Sequence, residues 1–364
     1  VTGIDGIKVS GGPGAENINS RFSRLNIYAC TTGIVFYSAY QWTLTDSVLH
    51  YCSVHCIYIT EVVNQDHGDC LISGCEFDQA VGVGYCIKQV GMGGVRIIGN
   101  KFINGVVHWL VVPNGNPIND AIFEGNSSEN ASDHHILFDG TNGVINNVVI
   151  SGNQIALGND KPNVTGIRLT GDGIDSPCQI NIMGNTIWVR HTNQTGIVVT
   201  AGGYDGSCYN TIYIAQNNLY SQNGPSNQYA IALQNIASVR CGVNNIAWDL
   251  SNTANNWAQR YIITSSQVCL FDAGQGQSGS GAYSGGYGAY GSVFIGGPIP
   301  VSYGHKFPST PSVSITLDNP GGGSSGGIGY LVRNVTNSGF DLYVITAASS
   351  GTVYYAWSAY VLGQ

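Results

Sequence analysis

The chain has 364 residues, with 13 Lys plus Arg against 21 Asp plus Glu for a net charge of −8, and 43% of it is hydrophobic while only 9% is charged. It is too apolar for a disordered polymer, no apolar run approaches the roughly 20 residues that span a bilayer, and its cations are scattered singly, so no basic stripe exists to neutralise a phosphate backbone. Membrane insertion and nucleic-acid binding are therefore not expected. The 51 glycines point to a turn-rich β protein, and the start at Val1, without a charged and apolar leader, reads as a processed or partial product.

From residue 33 onward two phrases recur. The first is a short run of alternating apolar residues: "GIVFYS", "CIYITE", "YCIKQV", "HWLVVP", "HILFDG", "GIRLTG", "GIVVTA" and "AIALQN". The second reads apolar-x-apolar-x-Gly-Asn-x-apolar, as in "RIIGNKFI", "VISGNQIA" and "NIMGNTIW". Aligned on it, Asn100, Asn126, Asn153, Asn185, Asn217 and Asn245 are separated by 26, 27, 32, 32 and 28 residues, with Ser47 and Cys75 in the same slot of two earlier turns. A period of this size signals a solenoid. Each unit reads strand, loop, strand, Gly-Asn bend, short strand, loop, with no sustained helical period, so residues 1–273 are expected to form an all-β, right-handed parallel β-helix. The ten cysteines lack a CxxC metal pattern and in part track the repeat, which makes them buried free thiols rather than bridges or metal ligands; no cofactor or metal is expected.

Period two assigns faces. Ile34, Ile57, Cys86, Trp109, Ile136, Ile167, Ile197 and Ile231 form one inward column, and Phe36, Ile59, Val111, Phe138, Leu169, Val199 and Leu233 another. The residues between them are expected outside: Tyr37, Tyr58, Glu61, Tyr85, Gln89, His108, His135, Asp139 and Arg168. Further along, residues 274–293 read as a Gly/Ser/Tyr-rich linker, and 294–364 as a small C-terminal β-sandwich of alternating strands.

The Gly-Asn units resemble the pectate-lyase-like β-helix superfamily, in which an inward asparagine ladder bridges successive coils. The strand order "TPSVSITL", "VRNVTNSGFDLYV" and "YYAWSAY" is similar to H-type-lectin-like domains at the ends of phage tail fibres. Together the two halves resemble a bacteriophage tailspike. That resemblance implies a homotrimer, an upstream virion-attachment region or tail protein as partner, a bacterial surface polysaccharide as ligand, and a place on the virion tail after assembly in the host cytoplasm. The polygalacturonase signatures and the calcium-binding carboxylate cluster of calcium pectate lyases have no counterpart here.

Chemistry is sought in acids at coil spacing. Strands lie about 4.8 Å apart, so carboxylates one coil apart suit a retaining glycosidase and those two coils apart an inverting one. Asp139, Asp172 and Asp175, with His108, His135 and Arg168 on the same expected face, are the catalytic candidates for glycoside hydrolysis. A lyase reaction, in which a base removes a proton beside a uronate that Arg168 neutralises, and a non-catalytic glycan-binding adhesin are the alternatives. Tyr58, Tyr85, Gln89, Tyr204 and Trp357 are the substrate-binding candidates, the aromatic ones for stacking on sugar faces. Trp188 is a further exposed aromatic, Glu76, Asp78 and Glu124 read as structural or interface acids, and His50, His55, His67, His134 and His191 as surface or turn residues. Trp357, Tyr354, Tyr355 and Tyr360 bind glycan or clamp a trimer.

Overall fold

A computed structural model describes residues 6–10, 19–61, 68–79, 82–158, 160–171, 178–200, 212–221, 228–234, 239–241, 244–248, 259–264, 269–271, 276–283, 288–290, 293–302, 311–318, 329–346 and 353–360. Two units divide the chain, one of residues Val1–Val239 with Asn244–Gln267 and one of Arg240–Val243 with Val268–Gln364. Every described element is a strand.

The first unit is a parallel β-helix. Its first sheet has ten strands in chain order from Ile7–Ser10 to Gln259–Thr264, the second runs within this unit from Arg21–Ser23 to Ile212–Ala215, and the third joins nine from Asn26–Tyr28 to Asn245–Trp248. Each coil contributes one strand to each sheet, and each strand pairs in parallel with its counterparts in the neighbouring coils. Such crossovers take the right-handed sense. The registers run Ile34↔Ile57↔Ile87↔Trp109↔Ile136↔Ile167↔Ile197↔Ile231, all buried. Ile87 thus occupies the place expected for Cys86.

The bend between the second and third sheets is built on the asparagine slot. The residue before it takes the left-handed conformation, with φ of 66° at Gly99, 64° at Gly125 and Gly152, and 65° at Gly184, which glycine adopts without a Cβ clash. The asparagine then turns inward. Asn153 Nδ2 donates to Phe123 O (2.9 Å) and to Asn185 Oδ1 (2.8 Å), while its own Oδ1 accepts from Asn126 N (2.9 Å) and Asn126 Nδ2 (3.1 Å). The pattern repeats from Asn100 to Asn217. Both amide hydrogens and the oxygen are engaged where no water reaches. The next rung is Asn244, 2.9 Å from Asn217 Nδ2, whereas Asn245 pairs with Asn218 on the third sheet, one residue away from its expected role. Ser47 and Cys75 fill the slot as expected: Ser47 Oγ accepts from Leu25 N (3.0 Å), and the backbone of Cys75 donates to Asn100 Oδ1 (2.9 Å). Cys52, Cys56, Cys70, Cys75 and Cys86 are buried free thiols.

The second unit holds two antiparallel sheets. Gly276–Tyr283 and Ser312–Asp318 flank Val353–Tyr360 in one; the other orders Gly288–Tyr290, Val293–Ser302, Gly339–Thr346 and Gly329–Arg333. The segment read as a linker therefore supplies two strands, because small residues satisfy the backbone bonds of an antiparallel ladder without displaying an apolar period.

Replacing one rung tests this scaffold. Asn153→Ala removes four buried hydrogen bonds, so it is expected to cost about 2–4 kcal/mol. The check is a lowered urea and thermal midpoint with unchanged far-ultraviolet circular dichroism at 20 °C or about that temperature.

Candidate functional site

The first sheet begins with a corner that a strict period of two does not anticipate. The registers pair His55, Tyr85, Val107, His134, Thr165 and Thr195, then skip a residue before the isoleucine column. The skipped residues, Cys56, Cys86, His108, His135 and Ala230 among them, are fully buried. At Gly196, which shares this position, a Cβ would lie 2.7 Å from the Ala230 carbonyl oxygen, so the corner is close-packed.

His108 and His135 are thus interior, against the outward placement expected for them. Their ring centroids are 4.9 Å apart, and Ser128 Oγ lies 2.6 Å from His108 Nδ1 and 2.7 Å from His135 Nδ1. His108 Nε2 meets the Asn104 carbonyl at 2.5 Å and must donate there, so its Nδ1 accepts the Ser128 hydroxyl proton, and that oxygen accepts from Nδ1–H of His135. The chain closes with both rings neutral. Burial pushes His108 down to about 4 against the opposing pull of the Asn104 carbonyl, and pushes His135 well below its ordinary value, helped by His108 and His134. Neither ring reaches a polymer outside the coil. Gln89 is also interior, where its Oε1 accepts from Trp109 Nε1 (3.2 Å) and its Nε2 donates to the Met92 carbonyl, and Glu61 is buried as well.

Asp139 and Arg168 do share the outer face in adjacent coils. Asp139 Oδ1 accepts from Thr141 Oγ1 (2.8 Å), Thr141 N (3.3 Å) and Thr170 Oγ1 (3.2 Å). Following Asp139, its row continues as Thr170, Thr200 and Gln234, without a second carboxylate. Arg168 acts on His134, whose pKa is lowered by burial and by that charge while Asp133, 3.5 Å away, opposes both. Asp172, Asp175 and Tyr204, with His67 and Asp66, lie outside the described residues, as does the side chain of Trp357. Tyr58 and Tyr85 come together on the outer face of the first sheet, around His55 and Lys88.

The third sheet carries an arrangement that the sequence reading set aside. By register its outward row runs Tyr28, His50, Asp78, Ile103, Glu129, Ala156, Trp188 and Tyr220. Asp78 and Glu129 stand two coils apart, about 9.6 Å between backbones, with Ile103 between them and Asn104 Nδ2 donating to Asp78 Oδ1 at 2.9 Å. Beyond Ala156, Trp188 and Tyr220 stack with centroids 6.3 Å apart and planes 22° from parallel. At the other end Tyr28 is 65% exposed and meets Tyr51 edge-on. Aromatic residues thus flank an acid pair along one outward row, with a buried Ala156 between Glu129 and Trp188, and Glu76 beside it is held by His50 (3.3 Å) and Lys101 (3.8 Å). The signal available in the sequence was the spacing of Asp78, Glu129 and Trp188 relative to the asparagine slot.

Comparison with solved structures gives the same architecture. The tailspike of Escherichia coli bacteriophage HK620 in complex with a pentasaccharide aligns with a TM-score of 0.51 at 9% identity, covering 99% of this chain and 71% of that one. Tailspike protein 2 of Escherichia coli bacteriophage CAB120 aligns with a TM-score of 0.51 at 14% identity over 71% of this chain and 35% of that one. The chain shares its fold with phage tailspikes. It spans 62% of the length of the tailspike of Pseudomonas phage phi297, at a TM-score of 0.41 and 12% identity. No protein-family model and no curated protein matches the sequence.

The buried histidines make a pH prediction. His108 takes up a proton near pH 6.5 when unfolded but only near 4 when folded. Its neutral-state contribution is therefore complete above about pH 6.5 and falls by up to about 3 kcal/mol as the pH drops toward 4. Thermal midpoints measured from pH 8 to 4.5 should fall more steeply for the native chain than for His108→Asn.

Proposed function

We propose that this chain is the saccharide-binding body of a phage tailspike that hydrolyses a bacterial surface polysaccharide as a homotrimer. What supports the fold-level part is the β-helix held in common with tailspikes, one of them in complex with a pentasaccharide. The chemistry rests on one observation, the outward row in which Asp78 and Glu129 stand two coils apart and lead to the stacked Trp188 and Tyr220.

Two carboxyl groups separated by roughly 6.5–9.5 Å leave room for a water between base and sugar, the inverting arrangement. Asp78, oriented by the Asn104 amide hydrogen bond, serves as the base that activates water. Glu129, two coils along the same row, is assigned the protonation of the leaving oxygen. The glycan chain lies along the row with sugar faces on Trp188 and Tyr220, which an aromatic ring favours through its apolar face. Asp139 with Arg168 is the second acid site of the proposal, and the C-terminal unit, with Trp357 on its Val353–Tyr360 strand, acts as the trimer clamp.

Incubation with host capsule, exopolysaccharide or O-antigen should release reducing ends of inverted anomeric configuration and no unsaturated uronate absorbance. Glu129→Gln and Asp78→Asn are each expected to lower the rate about 100-fold or more, and Asp139→Asn to change it only a few-fold. Loss of cleavage in Asp139→Asn alone would move the site to the first sheet. Absorbance of a double bond would make the reaction a lyase.

A further inference from the structure

A cluster on the first sheet takes no part in the hydrolytic row. His55 and Tyr58 in one coil face Tyr85 and Lys88 in the next, in registers His55↔Tyr85 and Tyr58↔Lys88. The His55 ring stacks on Tyr58 at 5.1 Å and 23° and leans on Tyr85 at 5.5 Å. Lys88 Nζ stands 6.0 Å from the Tyr58 ring centre and 5.8 Å from that of Tyr85. Both distances are at the outer limit of a cation–π contact, about 6 Å, so the ammonium sits between two rings rather than on either, with its donors free to turn outward. Among the described residues Lys88 forms no ion pair. Val35 and Leu110, its neighbours on the same outward row beyond Tyr58 and on the opposite side, are apolar.

Charge identifies what this cluster fits. His55 is buried and pushed down to about 4 by desolvation and by the Lys88 charge, so near neutral pH the cluster carries the single positive charge of Lys88. The chain as a whole carries −8 and repels a polyanion at long range. At physiological salt that repulsion is screened beyond about 8 Å, and a lone ammonium framed by two rings then decides contact affinity. A neutral sugar offers it hydroxyl acceptors only; a sugar bearing a carboxylate offers a charge-assisted, stronger bond.

We propose that Tyr58, Tyr85 and Lys88 form a second glycan site that takes an acidic sugar, with its ring against the tyrosine faces and its carboxylate on the Lys88 ammonium. This inference rests on the tailspike reading and adds to it the class of polysaccharide, a carboxylated one, together with an anchoring point on a different face of the coils from the acid row.

The test is retention of the full chain in native gels containing purified bacterial surface polysaccharides, acidic and neutral, with each acidic polymer also in carboxyl-reduced form. At least one acidic polymer is expected to retard the chain, and carboxyl reduction to weaken that retention about tenfold or more. Lys88→Met should weaken it equally, Lys88→Arg should keep it within a few-fold, and added salt should weaken the native chain more than Lys88→Met. Tyr85→Ala should weaken retention by both the acidic and the reduced polymer. Equal retention by the reduced polymer, retention only by neutral polymers, or native-like retention of Lys88→Met overturns the inference while leaving polysaccharide binding standing. A lowered native mass of Lys88→Met also overturns it, by assigning the cluster to a contact between copies. If no polymer retards the chain, the polysaccharide reading falls and this inference with it.

Discussion

Between Asn100 and Asn217 each inward amide donates to a carbonyl of the preceding coil and to the amide oxygen of the next asparagine, so the side chains bond from coil to coil as the backbone does. A slip of one residue would bury an unpaired amide at each rung at a cost of about 1–3 kcal/mol. The ladder thereby fixes which residue of every coil stands above which. On the third sheet this brings Asp78, Glu129, Trp188 and Tyr220, dispersed over more than a hundred positions of sequence, onto one line.

The same ladder explains what the sequence displayed and what it hid. Gly-Asn is a local signature, because the bend needs a left-handed residue followed by an inward amide, and Asn100, Asn126, Asn153 and Asn185 could be placed from it, while Asn217, which follows a left-handed Gln216, was placed by the period alone. Asn244 and Asn245 could not be told apart, since the doublet offers two amides and lacks the glycine. Outward and inward faces followed period two until the corner of the first sheet, where one extra residue turns inside. Ile87 and Cys86 exchanged roles there, and His108 and His135 went from an exposed patch to a neutral pair around Ser128. Gln89 sits in an otherwise apolar column because Trp109 needs an acceptor for its indole N–H. None of this shows in residue type alone, as a histidine or glutamine is polar in either place and only its partners decide.

Function then becomes a question of which face meets the polymer. Asp139 and Arg168 are outside as expected, yet the Asp139 row continues in hydroxyl and amide side chains, Thr170, Thr200 and Gln234. Two-carboxylate chemistry needs a partner at coil spacing, and the third sheet supplies one in Asp78 and Glu129. The first sheet contributes aromatic rings and the Lys88 ammonium instead. Under the proposed function a long polymer engages both faces, since they belong to the same coils, with recognition of charge proposed for one and bond cleavage for the other.

The central claim is that the row from Asp78 to Tyr220 is where the glycan lies. A crystal structure of the Glu129→Gln chain soaked with an oligosaccharide from a polysaccharide it degrades tests this directly. The account predicts sugar density along the third sheet, with rings over Trp188 and Tyr220 and a glycosidic oxygen within hydrogen-bond reach of residue 129. Density confined to the face that carries Asp139 and Arg168 would contradict it.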